Sequence, residues 1–282
     1  MDLRRVSGIA RPLDFGYPSN RWIAAIAVAV LAAAWLLRGL ATGAWLAAGA
    51  DAGLAALAVF LAWALCRELD PDLDAAALVA AALCALALGA AALLRLGPPA
   101  FAPLFVVLLA MRVLNRATGV AATPVDVLAL LGLAVWLALR GDWLYVGVGV
   151  AAVLIDAVMS PRSLRRLSMT GAASVVAIGG AWLAGQEPTA LSPASNLVAI
   201  VLAVGLSLLL LPSLSSAATV TTVADDTGER LRPVRVRAGQ LLAPAAGIGA
   251  AVEHGSVGLT ELLPLWVSIV AAGGYRLVRR RS

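Results

Sequence analysis

The chain has 282 residues, of which 62% are hydrophobic and only 13% are charged. Soluble domains contain about 45–50% apolar and about 25% charged residues, so this composition excludes a water-soluble globular protein. The net charge of +5 comes from arginines dispersed at the ends of apolar segments, which does not indicate binding to nucleic acid.

Ten apolar segments follow one another along the chain. Roughly 20 residues of helix cross the hydrocarbon layer of a membrane, and lipid offers no hydrogen-bond partners to an exposed backbone. The segments lack the alternation of barrel strands, so we predict an all-α bundle that forms one integral membrane domain over residues 1–282. The predicted spanning helices are residues 22–38, 43–66, 74–95, 99–115, 124–140, 143–159, 169–185, 193–212, 240–253 and 259–278.

The arginines predict the orientation of this bundle. If residues 1–21 are cytoplasmic, the outer loops hold only Arg38, Arg95 and Arg140, and the remaining 18 of the 21 arginines lie inside. Basic residues are enriched in the cytoplasmic loops of membrane proteins. We therefore predict a multi-pass protein of a bacterial or archaeal cytoplasmic (inner) membrane. Both termini are expected inside, and the lipid bilayer and its anionic head groups are the expected partners.

The second predicted helix carries an acidic residue whose charge would be unfavourable in the hydrocarbon layer of the membrane. Asp51 lies in the outer half of this helix, which is the half predicted to be nearer the outer surface of the membrane. An ionisable group within a membrane is costly and is often functional. Asp51 is therefore a candidate carrier of a coupling proton, a partner for an arginine, or a residue at the membrane surface.

The polar residues expected at the cytoplasmic surface form the main candidate site. The spacing of Arg112, Asn115 and Arg116 places them on one face of the fourth helix. Carboxylates can bind Mg²⁺ and arginines can bind phosphate, so convergence of these residues would create a ligand site. The alternative is that they form turns, helix caps and ion pairs between loops. The candidates are Arg67, Asp70, Asp72, Asp74, Arg112, Asn115, Arg116, Asp126 and Asp156, with Asp70 and Asp74 as metal candidates.

The fifth helix begins with a recognisable capping signal. Thr123 precedes Pro124, and a proline is favoured at the first helical position because its missing N–H is not needed there. Asp126 follows Thr123 by three residues, which is the spacing of a capping box. Asp126 therefore has a structural interpretation beside the functional one.

Residues 213–239 form the only long insertion that is not apolar. Thr219–Val223 and Val234–Arg237 alternate and contain β-branched residues, and Asp225–Gly228 between them is a turn signal. We predict a short cytoplasmic β-hairpin between the eighth and ninth helices. Its arginines are expected either to contact anionic lipid or a phosphorylated ligand, or to belong to a solvated connector.

A second group of polar residues lies near the outer ends of the last two helices. Glu253 and His254 end the ninth helix, and Glu261 begins the tenth. His254 is the only histidine in the chain. The group is a candidate cation site or pH sensor, and the alternative is a set of ordinary polar helix ends.

Parts of the sequence resemble two families of membrane proteins. The pattern Asp70-x-x-x-Asp74 resembles half of the first acidic motif of the UbiA-type intramembrane prenyltransferases, without its leading asparagine. Asp156-x-x-x-Ser160 resembles a reduced form of their second motif, and this resemblance implies prenyl transfer. The length, the ten helices and the internal termini resemble the drug/metabolite-type transporters, although residues 22–140 and 143–278 show no repeat.

Three functions follow from these patterns. The first is binding of an anionic, phosphorylated or lipid-linked ligand at the cytoplasmic surface, as in a membrane-embedded enzyme that modifies lipids or isoprenoids. The second is a ten-helix small-solute or lipid transporter of the drug/metabolite type, for which the few polar side chains at mid-membrane favour an apolar or lipidic solute. The third is a scaffold or assembly subunit, which small residues such as Gly39 and Gly43 would permit.

Overall fold

The computed structural model describes residues 7–11, 13–160, 164–183 and 196–279. Every regular element in these ranges is a helix. We number the α-helices in chain order, and a short 3₁₀ helix covers Ala217–Thr219. They are α1 (Pro18–Thr42), α2 (Trp45–Leu69), α3 (Asp74–Leu93), α4 (Phe101–Asn115), α5 (Pro124–Ala138), α6 (Leu144–Met159), α7 (Leu164–Leu183), α8 (Leu197–Leu208), α9 (Leu211–Ser216), α10 (Pro233–His254), α11 (Ser256–Glu261) and α12 (Leu263–Arg279).

Four helical segments are long and apolar enough to cross a membrane. They are Pro18–Thr42, Trp45–Leu69, Asp74–Leu93 and Leu197–Thr219, the last of which comprises α8, α9 and the 3₁₀ helix. Other apolar helices are shorter, and the 15 residues of α4 rise only about 22 Å against a hydrocarbon layer of about 30 Å. These apolar helices indicate a multi-pass membrane protein, and the ten predicted crossings stay a prediction.

The distribution of buried residues separates a packed interior from an apolar exterior. Helices α2 and α4 lie in the interior, where small and branched side chains fill one continuous core with residues of α3, α6, α10 and α12. Helix α1 lies outside and presents large apolar side chains, with Leu37 70% and Leu40 75% exposed. An apolar outer surface of this kind suits a protein whose solvent is lipid.

The two ends of the bundle differ in chemistry. At one end, which we call the polar end, four parts of the chain meet through side-chain hydrogen bonds. They are residues 7–11 and 13–20, the α2–α3 turn, the α4–α5 connection and the segment 220–232. At the opposite end, the α5–α6 turn and the segments that join α3 to α4 and α10 to α12 meet. The candidate site of the sequence analysis lies at the polar end.

The predicted β-hairpin within residues 213–239 is wrong. The described residues contain no strand, and this segment has only an isolated bridge between Val223 and Arg230. Val234–Arg237 form the first turn of α10, because Pro233 occupies a position near the helix start where a proline is favoured. Four alternating residues were too few to distinguish a strand from a helical turn that buries one face.

Prolines also divide or extend the predicted helices. The eighth predicted segment breaks into α8 and α9 just before Pro212, and the tenth breaks at Leu262, just before Pro264. Helix α10 instead continues through Pro244 and is longer than the predicted residues 240–253. Residues 184–185 and 193–195 of the predicted seventh and eighth segments lie outside the described residues, as do residues 1–6 and 12 of the N-terminal segment.

Candidate functional site

A cavity of about 580 Å³ opens at the polar end. Its walls come from residues 10–11 and 13–20, the end of α2, the α2–α3 turn and the segment 221–228. The charged side chains that line it are Arg11, Asp14, Arg67, Glu68, Asp72, Asp74, Arg112, Asp225 and Asp226.

Three arginines converge on this cavity around one buried carboxylate. Glu68 is 2% exposed, and its Oε1 lies 3.4 Å from Arg11 Nη1 and 3.4 Å from Arg112 Nε. Asn115 Nδ2 donates hydrogen bonds to Glu68 Oε2 at 3.0 Å and to the Glu68 carbonyl oxygen at 2.8 Å. Glu68 is therefore fixed in place and positions two of the three guanidinium groups.

The arginines have further partners around the cavity. Arg11 binds Asp225 through two hydrogen bonds, with Nε 2.6 Å and Nη2 3.0 Å from the carboxylate oxygens. Arg67 Nε lies 3.5 Å from Asp74 Oδ1, and its guanidinium carbon lies 5.2 Å from the centre of the Trp63 ring. Each arginine thus has an acidic neighbour, and the pairs at Asp225 and Asp74 are partly exposed.

Two buried N–H groups on residues that line the cavity have no hydrogen-bond acceptor among the described residues. They are Trp63 Nε1 and Arg112 Nε. The contact of Arg112 Nε with Glu68 is an ion pair without an aligned hydrogen bond. Both atoms are closed off from the open space of the cavity, and buried donors without an aligned acceptor are costly.

The segment 221–228 is tied to the α2–α3 turn by one carboxylate. Asp72 accepts hydrogen bonds from the backbone N–H groups of Thr221 at 3.0 Å and Thr222 at 2.8 Å, and from Thr222 Oγ1 at 2.6 Å. Burial acts to raise the pKa of Asp72, but these hydrogen bonds prevail and lower it below its ordinary value. Asp72 is therefore a structural carboxylate that holds one wall of the cavity.

Asp70 lies beside the cavity but is committed to another partner. Arg276 of α12 donates two hydrogen bonds of 2.7 Å to its carboxylate, and Asp70 is only 3% exposed. Asp70 and Asp74, the metal candidates, thus form separate ion pairs with Arg276 and Arg67. Within the described ranges, no three His, Cys, Asp or Glu residues are grouped to hold a metal ion.

Asp156 forms a second ionic cluster that does not line the cavity. Arg116 binds its carboxylate with Nε at 2.9 Å, and Arg235 Nη1 lies 2.7 Å from its Oδ1. Arg235 is 2% exposed, and it also donates to the Leu114 carbonyl oxygen at 3.1 Å. The cluster joins α4, α6 and α10, so its position indicates a structural role.

Asp126 has the capping role that its spacing predicts. Its backbone N–H donates to Thr123 Oγ1 at 3.3 Å, and its carboxylate accepts from the Thr123 N–H at 2.7 Å, which confirms the capping box. The same carboxylate accepts from Ser7 Oγ at 2.5 Å and from the Gly8 N–H at 2.8 Å. Asp126 therefore anchors the N-terminal segment that forms part of the cavity wall.

Asp51 lies far from these residues, near the start of α2. Its Oδ2 is 2.7 Å from Arg38 Nη1 of α1, and both side chains are exposed. Of the alternatives that the sequence left open, the structure gives Asp51 a partner across the α1–α2 turn.

The candidates that the sequence identified therefore fall into separate groups. Those that line the cavity are Arg67, Asp72, Asp74 and Arg112, and Asn115 acts on it through Glu68. Asp70, Arg116, Asp126 and Asp156 form separate contacts at the same end.

The sequence did not identify several residues that complete these contacts. Arg11 and Asp225 are 214 positions apart, and Asp70 and Arg276 are 206 positions apart, so no local pattern could pair them. Glu68 stood within the polar run that follows the predicted second helix, residues 43–66, but its spacing did not distinguish it from its neighbours. For Arg235, the available signal was Pro233, which marks a helix start.

Comparisons with known protein families, curated proteins and solved structures found no match to this chain.

Proposed function

We propose that this chain is a ten-helix protein of a bacterial or archaeal inner membrane that binds a phosphorylated, lipid-linked ligand in the cavity at its polar end. One observation carries the proposal. Three arginines, Arg11, Arg67 and Arg112, line a single cavity at this end of the bundle. Phosphate oxygens would be attracted by these guanidinium groups and would accept charge-assisted hydrogen bonds from them.

The proposed orientation places the polar end in the cytoplasm. The asymmetry of 18 arginines against Arg38, Arg95 and Arg140 supports it through the positive-inside rule. Six further helices, α4, α5, α6, α7, α10 and α12, are proposed to complete the ten crossings that the four long segments begin. Their burial against neighbouring helices supports this, because a helix inside a bundle need not match the lipid thickness on its own.

The charge of the cavity points to a phosphate that carries a metal ion. Six carboxylates line the cavity against three arginines, so a bare polyanion would meet a net negative surface. In many phosphate sites, Mg²⁺ is bound mainly by the phosphates, with one or two protein carboxylates and several waters. We therefore propose that the ligand enters as its magnesium complex, with the metal ion beside exposed carboxylates of the lining such as Asp74 and Asp226.

The apolar part of the cavity supports a ligand with a hydrocarbon tail. Phe60, Trp63 and Ala64 line it from α2, one of the four long segments. Leu13 and Tyr17 line it from the N-terminal segment and are 40% and 62% exposed. A head group bound by arginines would thus lie next to apolar side chains at the membrane surface, where a lipid places its tail.

Binding measurements on the purified full-length protein test this function. Inorganic pyrophosphate is titrated in the presence of MgCl₂ and again with EDTA, and phosphatidic acid is compared with phosphatidylcholine in nanodiscs. We expect magnesium pyrophosphate to bind saturably, and we expect phosphatidic acid to compete with it for the cavity. Binding of pyrophosphate alone would indicate a soluble phosphorylated ligand, and binding of neither probe would refute the proposal.

Replacing Arg112 by glutamine is expected to lower the affinity for magnesium pyrophosphate by about 10- to 100-fold, the effect of losing a charge-assisted hydrogen bond. Isothermal titration measures the change. Arg140→Gln is the matched control, because Arg140 is exposed at the opposite end and packs 4.3 Å from the Trp136 ring. Equal losses in both variants would show that charge alone, and not the cavity, attracts the probe.

Replacing Asp225 by asparagine is expected to raise this affinity by about two- to fivefold, within the range of exposed ion pairs. The Asp225 carboxylate binds Arg11 with two hydrogen bonds, so it competes with a phosphate for the same guanidinium group. Glu229→Gln is the control, since Glu229 lies in the same segment but does not line the cavity. A weaker affinity in Asp225→Asn would mean that this carboxylate positions Arg11 and does not compete.

A further inference from the structure

The only histidine of the chain joins three elements at the opposite end of the bundle. His254 is the last residue of α10. Its Nε2 lies 3.2 Å from Asp142 Oδ1 in the α5–α6 turn, and its Nδ1 lies 3.3 Å from Glu261 Oε2 at the end of α11. One imidazole ring therefore bridges two carboxylates from different parts of the chain.

The bridge requires a proton on each ring nitrogen. A neutral imidazole has one N–H donor and one acceptor nitrogen, whereas the protonated ring has two donors. A carboxylate can only accept, so the neutral ring can bond to Asp142 or to Glu261 but not to both. The two contacts together therefore fit the imidazolium form of His254.

The groups that face His254 are acidic, and part of their hydrogen bonding is unfilled. Asp142, Glu253 and Glu261 are the charged residues that act on it. Tyr145 of α6 is 1% exposed and interacts electrostatically with the same three carboxylates, and its hydroxyl has no partner among the described residues. Loss of the histidine charge would leave three carboxylates close together around a buried hydroxyl.

We propose that His254 is a proton-binding clamp that ties the α5–α6 turn and α11 to the end of α10 when its ring is protonated, and that releases them when the proton leaves. This clamp lies at the end opposite the cavity, so it does not rest on the proposed ligand. Its direction follows from the charges, since like charges at close range repel once the central cation is lost.

The pH range of the clamp follows from its neighbours. His254 follows the predicted crossing 240–253, and the hydrogen bond to Glu261 raises the pKa of His254 above its ordinary value, against the opposing effect of burial. Burial also raises the pKa of Asp142, although His254 lowers it and Glu261 raises it further. A raised histidine pKa means that the clamp is closed below the ordinary value of about 6.5 and opens as the pH rises through the higher one.

Two measurements on the full-length protein in nanodiscs, without a histidine tag, test the clamp. Since the chain has a single histidine, ¹⁵N-histidine labelling yields one imidazole and reports its titration directly. Spin labels on Arg140→Cys and Ser256→Cys report the separation of the α5–α6 turn from α11. We expect one narrow distance distribution near pH 5 and a longer, broader one near pH 9. The change between them should be centred on the pH at which the imidazole of His254 titrates.

Two variants separate the clamp from a general effect of pH. In His254→Gln the distance should no longer depend on pH, and in Asp142→Asn the imidazole should titrate at a lower pH than in the native chain. Asp142→Asn also provides a test if His254→Gln does not fold. An imidazole that titrates below about 6.5, or a pH-dependent distance that persists in His254→Gln, would overturn the proposal.

Discussion

Replacing Asp156 by asparagine is expected to lower the free energy of unfolding by about 3–5 kcal/mol, the usual effect of breaking a buried ion pair. The substitution keeps the shape of the side chain but removes a carboxylate that contacts both Arg116 and Arg235. Arg235 is 2% exposed, so its charge would stay buried without a counter-ion. Unfolding in mixed micelles with increasing dodecyl sulfate, followed by circular dichroism, measures the loss.

Two further variants identify the source of this effect. Asp51→Asn also removes one carboxylate from an arginine pair, but Asp51 and Arg38 are exposed, so the change should stay below about 1 kcal/mol. Adding Arg235→Met to Asp156→Asn should restore part of the stability, because it removes the uncompensated charge. If the double variant is less stable than Asp156→Asn, packing by Arg235 matters more than its charge.

Replacing Gly273 by alanine is expected to lower the free energy of unfolding by about 3 kcal/mol or more, because it overpacks a helix crossing. A Cβ atom at Gly273 would lie 1.6 Å from the Leu209 carbonyl oxygen and 2.5 Å from its carbonyl carbon. These are backbone atoms at the break between α8 and α9, so they cannot rotate away as a side chain would. Helix α12 would have to move off this break.

The neighbouring glycine is a matched control for this substitution. A Cβ atom at Gly274 would meet no atom within 4 Å. Gly274→Ala should therefore leave the stability unchanged or raise it by up to about 1 kcal/mol, since alanine favours a helix more than glycine does. The same unfolding assay compares the two variants. A similar loss at both positions would point to a general need for glycine in α12 and not to the contact with Leu209.

The ionic contacts at the polar end explain how the cavity is kept open. Asp72, Asp126 and Glu68 hold three different segments of the chain in place through hydrogen bonds to Thr222, Gly8 and Asn115. Arg112 and Trp63 reach the cavity from helices of the packed core. Two of the three arginines that line the cavity, Arg67 and Arg112, therefore lie on helices, whereas Arg11 lies on the N-terminal segment.

Much of the helical structure could be predicted from local sequence. Helix α3 was predicted over residues 74–95 and is observed over Asp74–Leu93, and α6 was predicted over 143–159 and is observed over Leu144–Met159. The start of α5 at Pro124 and its Thr123 cap follow the predicted pattern as well. The segment 213–239 was mispredicted because the choice between strand and helix depended on whether Arg235 would be buried.

The site was less predictable because its residues come from distant parts of the chain. Four of the predicted ligand-binding residues do line one cavity, namely Arg67, Asp72, Asp74 and Arg112. The polar character of the connecting segments marked them, since few charged residues occur elsewhere in the chain. Nothing in that pattern showed that Asp70 would pair with Arg276, or that Arg11 would reach Glu68 from the N-terminal segment.

The sequence by itself determined the apolar, helical character of this protein, because the preference of a segment for lipid or water is a sum over its own residues. It also marked the segments in which charge collects. Only the tertiary structure decided which carboxylate meets which arginine, and hence which donors line a cavity and which are consumed in ion pairs. These contacts depend on distances of a few ångström between residues that can be more than 200 positions apart.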